Sequence, residues 1–261
     1  MTRPEPSRAE EKLLVALLRR KAREEHGLFL AEGVRVAEEA LGSGGDIAFA
    51  VIAPGLRDTA RGLALADRLV ARHDVRFVSD AALARLAATD SPQGVLLAVR
   101  MPRAALEDVP LAARATILVL DAVQDPGNFG TLARTAVAFR ASAILTLSGT
   151  VDPWNPKAVR AAAGATFRVP VVPCGIETAF DWLRAGAFRI LVADTGGDDP
   201  TGLPHRDRNA LVVGNEGAGV GEAVRSRADA LVAVATPGPV ESLNVAVAAG
   251  ILLHDLTRES P

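Results

Sequence analysis

The chain has 261 residues, 49% of them hydrophobic and 23% charged, which excludes a disordered or fibrous protein and suits two domains of about 100–150 residues each. No window approaches the roughly 18 consecutive apolar residues of a membrane span. The N-terminus, MTRPEPSRAEEKLL, has no apolar signal core, and the single cysteine, Cys174, cannot form an internal disulfide, so a cytoplasmic protein is expected. The net charge of −2 is unlike the strongly basic balance of many nucleic-acid binders, and the absence of Tyr argues against an aromatic stacking platform.

Residues 1–100 read as one alternating α/β unit. Leu13, Leu14, Leu17 and Leu18 recur at helical spacing, and Arg19, Arg20, Lys21 and Arg23 follow on the same predicted helix. Strands are expected at 28–31, 47–52, 75–78 and 94–99, with helices opening near Gly33, Leu56 and Ser79. This alternation predicts a mostly parallel, layered sheet. Residues 101–114, MPRAALEDVPLAAR, carry two prolines and no period, and read as an inter-domain linker.

A second alternation runs over 115–261. Strands are expected at 117–120, 144–147, 169–172, 190–193, 211–213 and 231–234, and helices near 128–140, 156–164, 175–185 and 219–227. The closing helix, 242–256, contains VAVAAGILL and is apolar on nearly every side, which predicts burial in a core or a subunit interface. The four histidines, at 26, 73, 205 and 254, never stand at ligand spacing, and no metal site is expected.

Three segments depart from ordinary core-and-surface sequence. In Asp125-Pro126-Gly127-Asn128-Phe129-Gly130, a turn leads into a helix, and Asn128 is placed as its N-cap. Arg134 follows among small and apolar residues, where a buried guanidinium needs an anionic partner. Val213-Gly214-Asn215-Glu216-Gly217-Ala218-Gly219 is glycine-rich, yet the dinucleotide frame G-x-G-x-x-G fails from either Gly217 or Gly219, which disfavours a nicotinamide-dependent oxidoreductase. The third, Val234 to Val245, delivers Ser242 and Asn244 to the start of the apolar helix; Ser242 suits a capping role, which leaves Asn244 unexplained.

Taken together and in this order, the three segments resemble motifs 1, 2 and 3 of the SpoU-type (TrmH-like) RNA 2′-O-ribose methyltransferases of the SPOUT superfamily. The spacings agree, with 20 residues from Gly214 to Val234 and nine from Val234 to Leu243. More weakly, RKAREEHGLFLAEGVRVAEEAL is similar to that family's substrate-binding domain of ribosomal-protein L30e-like fold. Motif 3 departs from the family's usual Ile-Pro-Met-x-Gly, reading Val234-Ala235-Thr236-Pro237-Gly238 here.

The resemblance implies a C-terminal α/β domain whose chain threads a trefoil knot, in a homodimer that binds S-adenosyl-L-methionine. It implies cofactor contacts at Gly214, Val234 and Leu243, with Asn215, Gly219 and Gly238 in the same loops. Asn128, Arg134, Glu216, Ser242 and Asn244 would form the catalytic group, Arg134 being offered by the neighbouring subunit. Two roles for Arg134 stay open: a general base, costly for a side chain of pKa above about 12, or an anchor for the adjoining phosphate. Structured RNA would be the substrate, with 23S rRNA favoured over tRNA, and Arg19, Arg20, Lys21, Arg23 and Arg160 as further RNA contacts. The rival from another class is a non-catalytic RNA-binding protein that keeps the knot; it would need substitutions at Arg134 or Asn244, and neither is present.

Overall fold

The computed structural model describes residues 4–239 and 242–258. They fall into two compact units, one of residues 4–103 with 152–168 and one of 104–151 with 169–239 and 242–258.

The first unit is built on strands β1 (Leu28–Glu32), β2 (Ile47–Ile52), β3 (Val75–Phe77) and β4 (Val95–Arg100), in the order β1-β4-β2-β3. Here the sequence expectation needs correction. β2 and β3 are parallel, but β4 runs antiparallel to both β1 and β2, so the sheet is mixed. The period-2 pattern explains why both faces are covered. Phe29, Ala31, Ala50, Ile52, Leu97 and Val99 face helices α3 (Val34–Gly42) and α4 (Ala60–Arg72). The alternate residues Leu28, Leu30, Val51, Leu96 and Ala98 face α1 (Arg8–Ala16) and α5 (Asp80–Leu86).

The predicted continuous N-terminal helix is broken. After α1 the chain becomes extended at Arg19, and α2 (Arg20–His26) starts on a new axis. The break serves two buried groups. Leu14 and Leu17 enter the core, and the Leu17 carbonyl accepts a hydrogen bond from Arg23 Nη1 at 2.8 Å. Arg23 is only 2% exposed; its Nε and Nη2 donate to Asp152 Oδ2 at 3.1 and 2.5 Å. Asp152 heads the segment 152–168, whose Trp154 and Val159 join the core beside Phe29. These contacts place the segment with the first unit, although the sequence division kept it in the second.

The second unit is a parallel sheet of β5 (Ala115–Leu120), β6 (Ala143–Thr146), β7 (Val171–Pro173), β8 (Arg189–Asp198), β9 (Arg208–Val213) and β10 (Ala230–Val232). Its order is β10-β8-β9-β5-β6-β7, with every pairing parallel. From β5 the chain adds β6 and β7 outward on one side; β8 and β9 then come down on the other. The direction of winding therefore reverses between β5 and β9, and α/β sheets place their ligand crevices at the carboxyl end of such a reversal. Helix α6 (Pro126–Ala138) follows β5, and α10 (Val245–Thr257) packs on both α6 and β9. α10 buries Ala246, Ala249, Leu252 and Leu253 but leaves Val247 and Ile251 exposed, so its apolar character is only partly used within the chain. The remaining helices are α7 (Pro156–Ala162) in the first unit, and α8 (Ile176–Ala185) and α9 (Glu222–Arg225) in the second. Among the described residues no helix is long and apolar enough to cross a membrane.

Removing one partner of the Arg23–Asp152 pair strands a buried charge. Arg23→Ala is expected to lower unfolding free energy by about 3 kcal/mol, the scale for breaking a buried ion pair, measured by urea denaturation; a surface arginine such as Arg19 should change it little on the same assay.

Candidate functional site

Three loops meet here, those that leave the carboxyl ends of β5, β9 and β10. The loop after β9 begins with Gly214, where a Cβ would overlap the backbone of Gly219 and Val220, because the chain turns back on itself at once. Asn215 and Gly219 exchange backbone hydrogen bonds at 2.9 Å to close the turn, and Gly219 sits at φ +70°, a left-handed conformation that glycine adopts without steric cost. The glycines thus serve the chain's own close approach before they serve any ligand.

Asn215 binds this loop to the one after β5. Its Oδ1 accepts from Gly217 N and Ala218 N, both at 3.0 Å, and its Nδ2 donates to the Ala122 carbonyl at 3.0 Å. Ala122 is itself held at φ +55°, an unfavourable conformation for a residue with a Cβ.

Glu216 makes the second tie. Its carboxylate accepts from Gln124 N at 3.2 Å, Asp125 N at 3.1 Å and Asn128 Nδ2 at 3.0 Å. Partial burial pushes its pKa up. That effect is outweighed by the Asn128 amide and the backbone N–H groups of Glu216, Asp125 and Gln124, which together hold it below the ordinary value of 4.5. Glu216 is therefore ionised at neutral pH.

The helix starts differ from the sequence reading in an informative way. Asp125, not Asn128, caps α6, accepting from Asn128 N at 2.8 Å with Pro126 at the first position. This frees the Asn128 side chain for Glu216. Asn244, not Ser242, caps α10; its Oδ1 accepts from Ala246 N and Val247 N. Its Nδ2 donates to Asn128 Oδ1 at 2.9 Å. The result is a directed chain, Asn244 to Asn128 to Glu216, in which each amide orientation is fixed by its neighbours.

Beside this chain lies a cavity of about 470 Å³. Val213, Val232, Val234, Leu243, Val245 and Leu252 give it apolar walls, and Gly214, Asn215, Gly219 and Thr236 line it from the loops. Asp194, Thr195, Glu216 and Ser242 supply polar groups. Size and lining suit a ligand with a flat apolar part and a few polar groups. Gly238 is exposed in the same loop and does not line the cavity, while Val240 and Glu241 of motif 3 lie outside the described residues.

The structure brings Asn128, Glu216 and Asn244 together and puts Ser242 on the cavity wall, but Arg134 stands apart. The expectation of burial is corrected: Arg134 is on the exposed face of α6 and forms no ion pair or hydrogen bond with the described residues. Of the basic residues expected to touch RNA, Arg23 is excluded by its burial against Asp152. Arg20 pairs with Glu24 at 2.7 Å, and Arg19, Lys21 and Arg160 are exposed. Asp194 and Thr195 were missed; the Gly196-Gly197 pair just after them is a sequence sign of an irregular strand. Among the described residues no cluster of His, Cys, Asp and Glu is fit to hold a metal ion.

The SpoU rRNA Methylase family model matches residues 115–254, and the MRM3-like substrate binding domain model matches 10–97. The 23S rRNA (guanosine(2553)-2′-O)-methyltransferase RlmP of Bacillus subtilis is 35% identical over 238 residues, 91% of either chain. Among solved structures, the AdoMet-bound rRNA methyltransferase from Sinorhizobium meliloti superposes with a TM-score of 0.85 at 30% identity, over 97% of this chain and 95% of that one. The SpoU methyltransferase AviRb from Streptomyces viridochromogenes, in complex with AdoMet, superposes with a TM-score of 0.86 at 27% identity, over 96% and 97%.

The lowered Glu216 pKa gives a signed expectation. Stability from this carboxylate is complete above the ordinary glutamate range and is lost only as pH falls through the lower folded-state value. In urea titrations from pH 7 to pH 3, Glu216→Gln should be less stable than the unaltered protein at neutral pH, with the gap narrowing below about pH 4.5. A gap independent of pH would remove the carboxylate from the clasp.

Proposed function

Since the chain belongs to the SpoU rRNA methylase family, we propose that it transfers a methyl group from S-adenosyl-L-methionine to a ribose 2′-hydroxyl of structured RNA, with 23S rRNA as the target. The observation that carries this reading is the Asn244–Asn128–Glu216 chain, which ends on a carboxylate lining a cavity of the right size for the cofactor. When bound, the cofactor supplies a methyl group already activated on a sulfonium centre. The chain's own residues then need only hold the ribose in line and take charge of its proton. The loops after β9 and β10 hold the cofactor, with Gly214, Val234 and Leu243 on the cavity wall. Glu216 keeps its loop against the start of α6, and Ser242 offers a hydroxyl near the point of transfer.

Arg134 supports a shared site. It lies six residues beyond Asn128 on α6, about 9 Å along the axis and about 120° around it. An arginine so placed turns its guanidinium away from the network of its own chain, toward a second copy. The exposed Val247 and Ile251 on the neighbouring α10 supply an apolar surface for that copy. We hold the homodimer, the trefoil knot, the cytoplasmic site of action and RNA contact through Arg19, Lys21 and Arg160 as parts of this same reading.

Incubating the purified protein with S-adenosylmethionine and unmodified 23S rRNA, then mapping 2′-O-methyl positions by primer extension at low nucleotide concentration, should give one modified ribose. Transfer to tRNA alone would move the target, and no transfer to either would defeat the reading. Arg134→Ala should retain fold and S-adenosylhomocysteine affinity while cutting transfer by about 10² or more. Arg134→Lys separates the roles: activity that rises with pH marks a base, whereas loss at every pH marks a phosphate anchor. For the interface, Val247→Glu with Ile251→Glu should convert a dimer to a monomer in sedimentation and abolish transfer; a monomeric unaltered protein would end the shared-arginine reading.

A further inference from the structure

Strand β8 carries a feature that the methyl-transfer reading does not use. Its ladder with β10 is regular at Leu191–Ala230 and Val192–Leu231, but the next partner of β10, Val232, pairs with Asp198. Residues 193–197 therefore bulge out of the ladder between two successive residues of β10. Bulges of this kind re-aim side chains, often beside active sites. This one carries Asp194 and Thr195 to the wall of the 470 Å³ cavity. Gly197 packs so closely on the Leu231–Val232 backbone that a Cβ there would overlap it, which fixes the bulge in place.

Asp194 is held from two directions. Its Oδ1 accepts from Gly196 N at 2.9 Å, and its Oδ2 is paired with Arg225 on α9. The side chain keeps one fifth of its surface exposed. A carboxylate has about four acceptor positions, so two remain for a ligand. Because Arg225 already balances its charge, Asp194 offers little net attraction to a cation but remains a strong acceptor for hydroxyl groups. Glu216, another carboxylate on this wall, already accepts three hydrogen bonds from the chain.

Resting on the methyl-transfer reading, we propose that Asp194 binds the vicinal hydroxyls of the cofactor's ribose and so selects a ribonucleoside cofactor. A paired carboxylate that accepts from both hydroxyls of a cis-diol fixes the sugar without competing for the sulfonium. Asp194 is then a cofactor-specificity residue that takes no part in the Asn244–Asn128–Glu216 chain.

Calorimetry on the full-length protein, with S-adenosylhomocysteine and its 2′-deoxy and 3′-deoxy analogues, tests this without turnover. The unaltered protein should bind at least one deoxy analogue about tenfold or more weakly, the scale of a lost hydrogen bond to a charged group. Asp194→Ala should weaken S-adenosylhomocysteine by a similar factor and bind parent and deoxy forms alike. Asp194→Asn, nearly isosteric, repeats the measurement if the alanine variant fails to fold, and should discriminate less than the unaltered protein. Arg225→Leu separates binding from support: it should keep the preference for the diol, whereas loss of that preference would reduce Asp194 to a partner of Arg225. Equal affinity of the unaltered protein for all three ligands, or undiminished discrimination in both Asp194 variants, overturns the proposal while leaving methyl transfer intact. No binding of S-adenosylhomocysteine at all would defeat the methyl-transfer reading with it.

Discussion

The Glu216 carboxylate is the point on which the loops of the second unit's cavity converge. Three donors from the loop and first turn after β5 converge on a side chain delivered by the loop after β9. Without that anion, the N–H groups of Gln124 and Asp125, which lie just before the first residue of α6, would lose the acceptor they have here. Each such bond contributes modestly in a solvent-facing site. Their joint effect is geometric: a single carboxylate sets the separation of two loops and the rotamer of Asn128.

Capping explains why the polar residues of α6 and α10 can act as a unit. Asp125 satisfies the start of α6 with its own oxygen, so Asn128 is released from local duty. Asn244 divides its amide, the oxygen serving the first turn of α10 and the nitrogen serving Asn128. Because a primary amide accepts at one end and donates at the other, two asparagines in series transmit direction as well as contact. Their order is set by the anion at one end and by the helix N–H groups at the other, and bonds arranged head to tail strengthen one another. A hydrocarbon in place of Asn244 would leave the start of α10 without its cap, and one in place of Asn128 would take one of the three donors from the carboxylate.

Much of this was legible in the residues. The alternation of short apolar runs with helical spacing located the ten strands that the structure describes, and the three motif segments located the loops of the site. What local pattern could not supply was direction and partner. β4 carries the same apolar run whether parallel or antiparallel, and its direction follows from pairing with β1 and β2. Arg23 sits in a basic run that resembles a solvated or RNA-facing helix, and only a carboxylate 129 residues away makes it a core residue. Capping by Asn128 and Ser242 was a sound local inference, displaced because Asp125 and Asn244 stand in better register with the first free N–H groups. Asp194 gave no signal through residue type; its place on the cavity comes from a bulge whose partner strand lies more than 30 residues on.

The sheet's winding explains why these pieces meet where they do. Between β5 and β9 the order of strands reverses, so the connections leaving their carboxyl ends depart in opposite directions and open a crevice. An open crevice needs something to hold its width, and apolar side chains there would fill the space that a ligand needs. A charged group bonded to backbone N–H across the gap holds the width while leaving the volume free. Glu216 does this from the β9 side, Asn215 adds a neutral tie by donating to the Ala122 carbonyl, and Asp121 adds a third from the β5 side by accepting from Gly221 N at 2.8 Å. The polar residues of this crevice are thus first a solution to a problem of topology, and the same placement leaves Asn215 and Glu216 on the wall of the cavity.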